Sequence, residues 1–69
     1  MNRIPVSSTN VAAVGYDQST MTLEVEFLNG SEYQYFDVPP AIYQGLIGAE
    51  SIGSYLAQSI KNNFRYTKL

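Results

Sequence analysis

The sequence contains no cysteine, no histidine and no tryptophan, and only 14% of it is charged. Without cysteine there are no disulfides, thiolate nucleophiles or thiolate zinc sites. Without histidine the usual general base and the commonest metal ligand are gone. The nucleophiles that remain are hydroxyls and the two lysines, Lys61 and Lys68. A non-enzymatic protein with no metal and no cofactor is therefore expected. No apolar run approaches the roughly 18 residues of a membrane helix. No basic start leads into an apolar stretch and a small-residue cleavage site. A cytoplasmic protein with no membrane partner is the corresponding expectation.

What the chain does have is core material. Of its 69 residues, 45% are hydrophobic and 13% aromatic, which is too much for a disordered chain and enough for one small domain over residues 1–69. Charge is unevenly distributed. Residues 1–50 hold Arg3 and all six acids, whereas residues 51–69 hold Lys61, Arg65 and Lys68 with no acid. Any attraction for anions is confined to the last nineteen residues.

Residues 1–10, with Pro5 and the polar Ser7-Ser8-Thr9-Asn10, read as an extended arm. Strands are expected at Val11–Tyr16, Met21–Leu28 and Ser31–Val38. The second alternates Leu23, Val25 and Phe27 with Thr22, Glu24 and Glu26, the signature of a half-buried strand. Asn29-Gly30 is a hairpin signal. A two-residue loop would set Phe27 opposite Glu32 and mix apolar with polar rows. A three-residue Leu28-Asn29-Gly30 loop, with Gly30 left-handed, pairs Val25 with Tyr33 and Leu23 with Tyr35. A one-residue slip inverts every face, so this consistency selects the bulged loop. By the same reasoning a four-residue Asp17–Thr20 loop would pair Tyr16 with Met21 and Val14 with Leu23.

The resulting sheet has one apolar face that needs a cover. Val38-Pro39-Pro40 ends the third strand, and proline suits a first helical turn. Ile42, Tyr43, Leu46 and Ile47 then form a helical stripe that stops near Gly48. Ser51 caps a second helix whose Ile52, Tyr55, Leu56, Ser59 and Ile60 share a face. Phe64–Leu69 is a tail or a short added strand. The expected architecture is α+β: a three-stranded antiparallel meander with two short C-terminal helices packed on one face.

These residues carry a resemblance. Ser7-Ser8, Gly15-Tyr16-Asp17, Leu23-x-Val25-x-Phe27-x-x-Gly30, Tyr33-x-Tyr35, Val38-Pro39, Ala49-x-Ser51-x-Gly53-x-Tyr55, Ile60-Lys61 and Tyr66 follow one another in order. The series resembles the KTSC domain, a short module at the C-terminus of some lysyl-tRNA synthetases that also occurs as stand-alone bacterial and phage proteins. The resemblance covers about residues 6–69 and implies no catalytic activity. A role in RNA binding is suggested by the synthetase association.

Three sets of residues could serve binding. Tyr33 and Tyr35 share a strand face and would form a stacking platform for bases if the helices leave them open, or pack beneath the helices if not. Ser51 and Gly53 open the second helix, either as an anion site or as a cap and a close packing point. Lys61, Arg65 and Lys68, interleaved with Phe64 and Tyr66, suit phosphate and base contact. Three positive charges hold a long polyanion weakly, whereas a small phosphorylated ligand avoids that penalty. The expected ligand-binding set is Tyr33, Tyr35, Ser51, Gly53, Lys61, Arg65 and Tyr66, and the expected ligand is RNA or a phosphate-bearing nucleotide. Two other functions stay open: a protein-interaction or accessory module using exposed Leu28 and Phe36, and a homo-oligomer that sequesters a signalling nucleotide. Glu24, Glu26 and Glu32 would share the open sheet face as solvated carboxylates.

Overall fold

The computed structural model describes residues 2–69. Five strands run in chain order through one antiparallel sheet: β1 (Arg3–Pro5), β2 (Val11–Asp17), β3 (Thr22–Phe27), β4 (Glu32–Tyr35) and β5 (Tyr66–Lys68). Between β4 and β5 come α1 (Pro40–Ile47) and α2 (Ile52–Tyr55), and α2 continues without a break as a π-helical segment, Leu56–Ile60. The α+β class and the two helices agree with expectation. The strand count does not, because the three-stranded meander gains a strand at each edge.

The second hairpin has the expected register, with Leu23 opposite Tyr35 and Val25 opposite Tyr33. Its loop is Leu28-Asn29-Gly30, closed by the Phe27 N–H donating to the Ser31 carbonyl, with Gly30 left-handed at φ 91°. Only glycine takes that conformation without steric cost. The first hairpin is shifted by two residues, so that Tyr16 pairs with Leu23 and Val14 with Val25. A shift of two leaves every face unchanged. Its cause is local. The Asp17 carboxylate accepts from both the N–H and the hydroxyl of Ser19, and Met21 turns left-handed at φ 55° and leaves the strand. A bulge at Ala12 then sets Val11 opposite Phe27, so Val11 enters the core in place of Ala12.

Part of the expected N-terminal arm is β1. Arg3 pairs with Gly15, and Gly15 pairs with Glu24, on the face away from the helices. Gly15 contributes no side chain to that row, and the Arg3 guanidinium lies across it. It meets Glu24 at 3.0 Å, Glu32 at 2.8 Å and Glu26 at 3.5 Å. The carboxylates that alternation places on the open face are therefore joined by one arginine, which ties β1 to β3 and β4. The other added strand, β5, pairs with β4, with Tyr35 opposite Tyr66 and Tyr33 opposite Lys68.

On the covered face, Val14, Leu23, Val25 and Tyr35 meet Leu46, Ile52, Leu56 and Ile60, all buried. Tyr16 links the layers: its ring stacks on Tyr43 of α1 with centroids 4.7 Å apart, and its hydroxyl donates to the Val38 carbonyl. Burial, followed by the charge of Asp17, raises the pKa of this phenol. The two helices touch where Gly45 faces Tyr55. A Cβ on Gly45 would overlap the Tyr55 hydroxyl and lie 2.7 Å from its Cζ. Helical cover ends before the sheet does. In the row Ile4–Val14–Val25–Tyr33–Lys68, the two valines are sealed, while Ile4 is 46% exposed at one edge and Lys68 is exposed at the other.

Two predictions follow from this packing. Gly45→Ala should lower the unfolding free energy by about 1–3 kcal/mol through overpacking. Gly48→Ala, whose Cβ would meet nothing nearer than the Gln44 carbonyl oxygen at 3.4 Å, should be close to neutral; urea denaturation of both variants checks the contrast. The Glu24 carboxylate is held below its ordinary range by the Gln34 hydrogen bond first and then by Arg3, against the opposing effect of burial. A depressed folded-state value means this stabilisation is fully present above the unfolded value of about 4.3. It is lost as pH falls through the lower folded value. Glu24→Gln should flatten the acid limb of stability measured from pH 5 to about pH 2.

Candidate functional site

The β4–β5 end of the covered face is a groove of about 740 Å³. Phe27, Tyr33, Tyr35 and Tyr66 floor it, and Lys61 and Asn62, which follow the π-helical segment, form one wall. Thr9 and Asn10 from the β1–β2 loop, with Leu28, Asn29 and Ser31 from the β3–β4 turn, form the rest of the rim. Strand register brings the aromatic rings together, since Tyr33 and Tyr35 alternate onto one face of β4 and Tyr66 lies opposite Tyr35. Tyr33 and Tyr66 have ring centroids 5.8 Å apart, as do Tyr35 and Tyr66. Phe27 meets Tyr33 edge-on at 5.6 Å.

The rings are not equivalent. Tyr35 is 1% exposed and belongs to the core, and burial raises the pKa of its hydroxyl, with the neighbouring Tyr33 and Tyr66 adding to the effect. Tyr33 is half-buried, and Tyr66 is 58% exposed. The faces available to a ligand are thus those of Tyr66 and Tyr33, supported from below by Tyr35 and Phe27. The Lys68 ammonium sits 6.0 Å from the Tyr33 ring centroid. No acidic residue lines the groove. Glu24, Glu26 and Glu32 lie on the opposite face of the sheet beneath Arg3. One face is therefore acidic and internally paired, and the other carries aromatic rings and lysines.

Of the residues expected to bind, Tyr33, Tyr35, Lys61 and Tyr66 come together here. The other three lie elsewhere. Ser51 caps α2, its Oγ accepting from the Ser54 N–H at 3.2 Å, beside Glu50 in a separate depression. Gly53 is a packing point, because a Cβ there would come 2.7 Å from Asn10 Oδ1. This close approach seats the β1–β2 loop as a groove wall. Arg65 turns away to Asp37, 2.9 Å distant, with its guanidinium 5.7 Å from the Phe36 ring centroid. Its carbonyl accepts from the Phe36 N–H, so Arg65 fastens the start of β5 to the end of β4. Phe36 is consequently half-covered, while Leu28 remains 61% exposed at the groove rim. Sequence reasoning missed Asn10, Asn29, Asn62 and Phe27 as groove residues. Asn29 falls in the expected hairpin turn and Asn10 in the expected extended arm, but nothing in their spacing says that the two segments meet.

Among the described residues no helix is long and apolar enough to cross a membrane, and no group of three or more acids is placed to hold a metal ion.

Comparison with known proteins agrees with this architecture. A crystal structure of a KTSC domain protein from Yersinia pestis superimposes with a TM-score of 0.93 at 36% identity, covering 99% of this chain and 96% of that one. An uncharacterised protein of Stutzerimonas stutzeri is 37% identical over 70 residues, covering the whole of this chain and 99% of that protein. A lysine–tRNA ligase of Nostoc punctiforme is 43% identical over 54 residues, which are 78% of this chain and 10% of the ligase. The KTSC domain profile matches residues 7–64. With its full-length relatives, its fold and that match in agreement, the chain belongs to the KTSC domain family.

Proposed function

We propose that this protein is a non-catalytic binding module whose tyrosine-floored groove takes single-stranded RNA, with a phosphate-bearing nucleotide as its smallest ligand. The observation that carries this reading is an aromatic floor left open by the helices, with Lys61 on its wall, Lys68 beside Tyr33 and no acid in its lining. Unpaired bases stack on such rings whatever their identity, while cations take the phosphates. A duplex presents its base faces only to its own stack, so a single strand is the form that fits. A similar segment within proteins named lysine–tRNA ligases supports an RNA setting. Two lysines release few counterions, so affinity is modest and depends shallowly on salt.

A protein partner is the second reading, favoured by Leu28, whose apolar side chain is 61% exposed on the rim and has no use against phosphate.

Titration of isotope-labelled protein with RNA octamers, followed in proton–nitrogen spectra, should shift residues 27–33, 61–62 and 66–68. Tyr66→Ser should weaken binding by about tenfold, within the range for losing one stacked base. Lys61→Glu should weaken it further at low salt, and both exposed-site variants should remain folded. A flat response at millimolar RNA would overturn the RNA reading in favour of the protein partner.

A further inference from the structure

The two edges of the sheet differ in what their outward backbone groups offer. Hydrogen-bonded pairs alternate along an antiparallel ladder. Beside β5, the Phe36 N–H donates to the Arg65 carbonyl at 2.9 Å and the Leu69 N–H to the Glu32 carbonyl at 2.8 Å. Thr67, opposite Gln34, is the bonded pair midway between them, so the N–H and C=O groups of Tyr66 and Lys68 face outward. Beside β1, the Val6 N–H donates to the Ala12 carbonyl, so Ile4 bonds towards β2 while Arg3 and Pro5 face outward. Pro5 has no N–H to give, which is a common way of closing a sheet edge. β5 has no proline, and all three of its residues are exposed. Its edge can take another strand, and Lys68 restricts which one, because an edge lysine repels a strand that sets a cation opposite it.

We infer that the β5 edge is a self-pairing interface, to which β5 of a second copy adds antiparallel about a two-fold axis through Thr67. The inference goes beyond the RNA reading and does not use it. Alternation of the outward groups leaves few registers. An axis through Lys68 sets that lysine against its own copy, and an axis through Tyr66 leaves Lys68 opposite Phe64, outside the strand. The axis through Thr67 engages every outward group of both strands in four hydrogen bonds, with Tyr66 of each copy opposite Lys68 of the other. Tyr-x-Lys is thus its own antiparallel complement. The Lys68 ammonium already lies 6.0 Å from the Tyr33 ring centroid, and Tyr66 of the second copy flanks its other side, so the cation meets rings and no like charge. On the opposite face the same register sets exposed Leu69 against the stem of Arg65 of the second copy. The axis stands perpendicular to the sheet, so the two grooves open on one side and share a margin. A seam of three residues a side falls well short of the roughly 800 Å² per partner of a standard interface, so the pair is weak and forms at high concentration.

The test is sedimentation equilibrium of the full chain without RNA, from micromolar to millimolar concentration, where the mass should rise from that of a monomer towards twice it. Lys68→Pro removes the outward N–H and leaves the inward Thr67 ladder in place. It deletes two symmetry-related hydrogen bonds and should weaken association by about tenfold or more. Tyr66→Lys, which sets a cation opposite Lys68 of the second copy, should abolish it, and urea denaturation checks that both variants stay folded. The register has its own readout, because the chain has no cysteine. The axis places Thr67 beside its own copy at a Cα separation of about 4.5 Å, within reach of a disulfide. With oxidised glutathione as oxidant, Thr67→Cys should cross-link about tenfold faster than Lys68→Cys, whose thiol would face a tyrosine. A monomer at millimolar concentration would overturn the inference. So would a dimer indifferent to Lys68→Pro and Tyr66→Lys, or equal cross-linking of the two cysteine variants. None of these outcomes bears on the RNA titration, which stands or falls separately.

Discussion

The structure depends on a sheet face wider than its cover. Five strands at about 4.8 Å spacing present more apolar surface than two helices of two to three turns can seal. Leu46, Ile52, Leu56 and Ile60 close over β2, β3 and the inner end of β4, where burial is nearly complete. At the outer edges the same alternation continues without a lid. Ile4 crops out on one side, and Tyr33, Tyr66 and Lys68 on the other. A tyrosine suits such a margin, because its ring packs while its hydroxyl stays wet. The groove is thus a consequence of how the core is closed.

Charge is divided between the two faces by the same alternation. Glu24, Glu26 and Glu32 all point away from the helices, and three carboxylates in adjacent strand positions would repel one another. Arg3 resolves this by lying over Gly15 and reaching all three. Net charge of −2 therefore hides a surface on which acid is paired on one side and base is left available on the other. The sheet stands between the groove and Glu24, Glu26 and Glu32, half of the six acids.

The groove draws its walls from parts distant in sequence, each held by a contact that serves packing. Gly53 admits Asn10 and so seats the first loop. Asp37 and Phe36 hold Arg65 and so place β5 with its exposed tyrosine. Ser51 caps the start of α2, its Oγ accepting from the Ser54 N–H. Residues that look like ligand contacts in a linear reading, Ser51, Gly53 and Arg65, are the ones that build the frame.

The sequence by itself determined everything governed by period and local turn chemistry. The alternation from Leu23 to Phe27, the left-handed Gly30 and the matching Tyr33–Tyr35 row leave one self-consistent register, since a slip by one residue would bury glutamates. The stripes Ile42–Ile47 and Ile52–Ile60 likewise admit only a helical cover on that face. The first hairpin was legible in its faces but not in its pairing, because a shift of two residues costs no change of face and was decided by Asp17 capping Ser19. Only the tertiary structure decided that residues 3–5 and 66–68 become strands. Neither segment is long enough to show a period, and each is stabilised by partners more than twenty residues away, Glu24 for Arg3 and Asp37 for Arg65. The groove belongs to the same class. Its tyrosines were readable as a row, but whether that row would be covered depended on helix length against sheet width, a property of the assembled layers and of no segment alone.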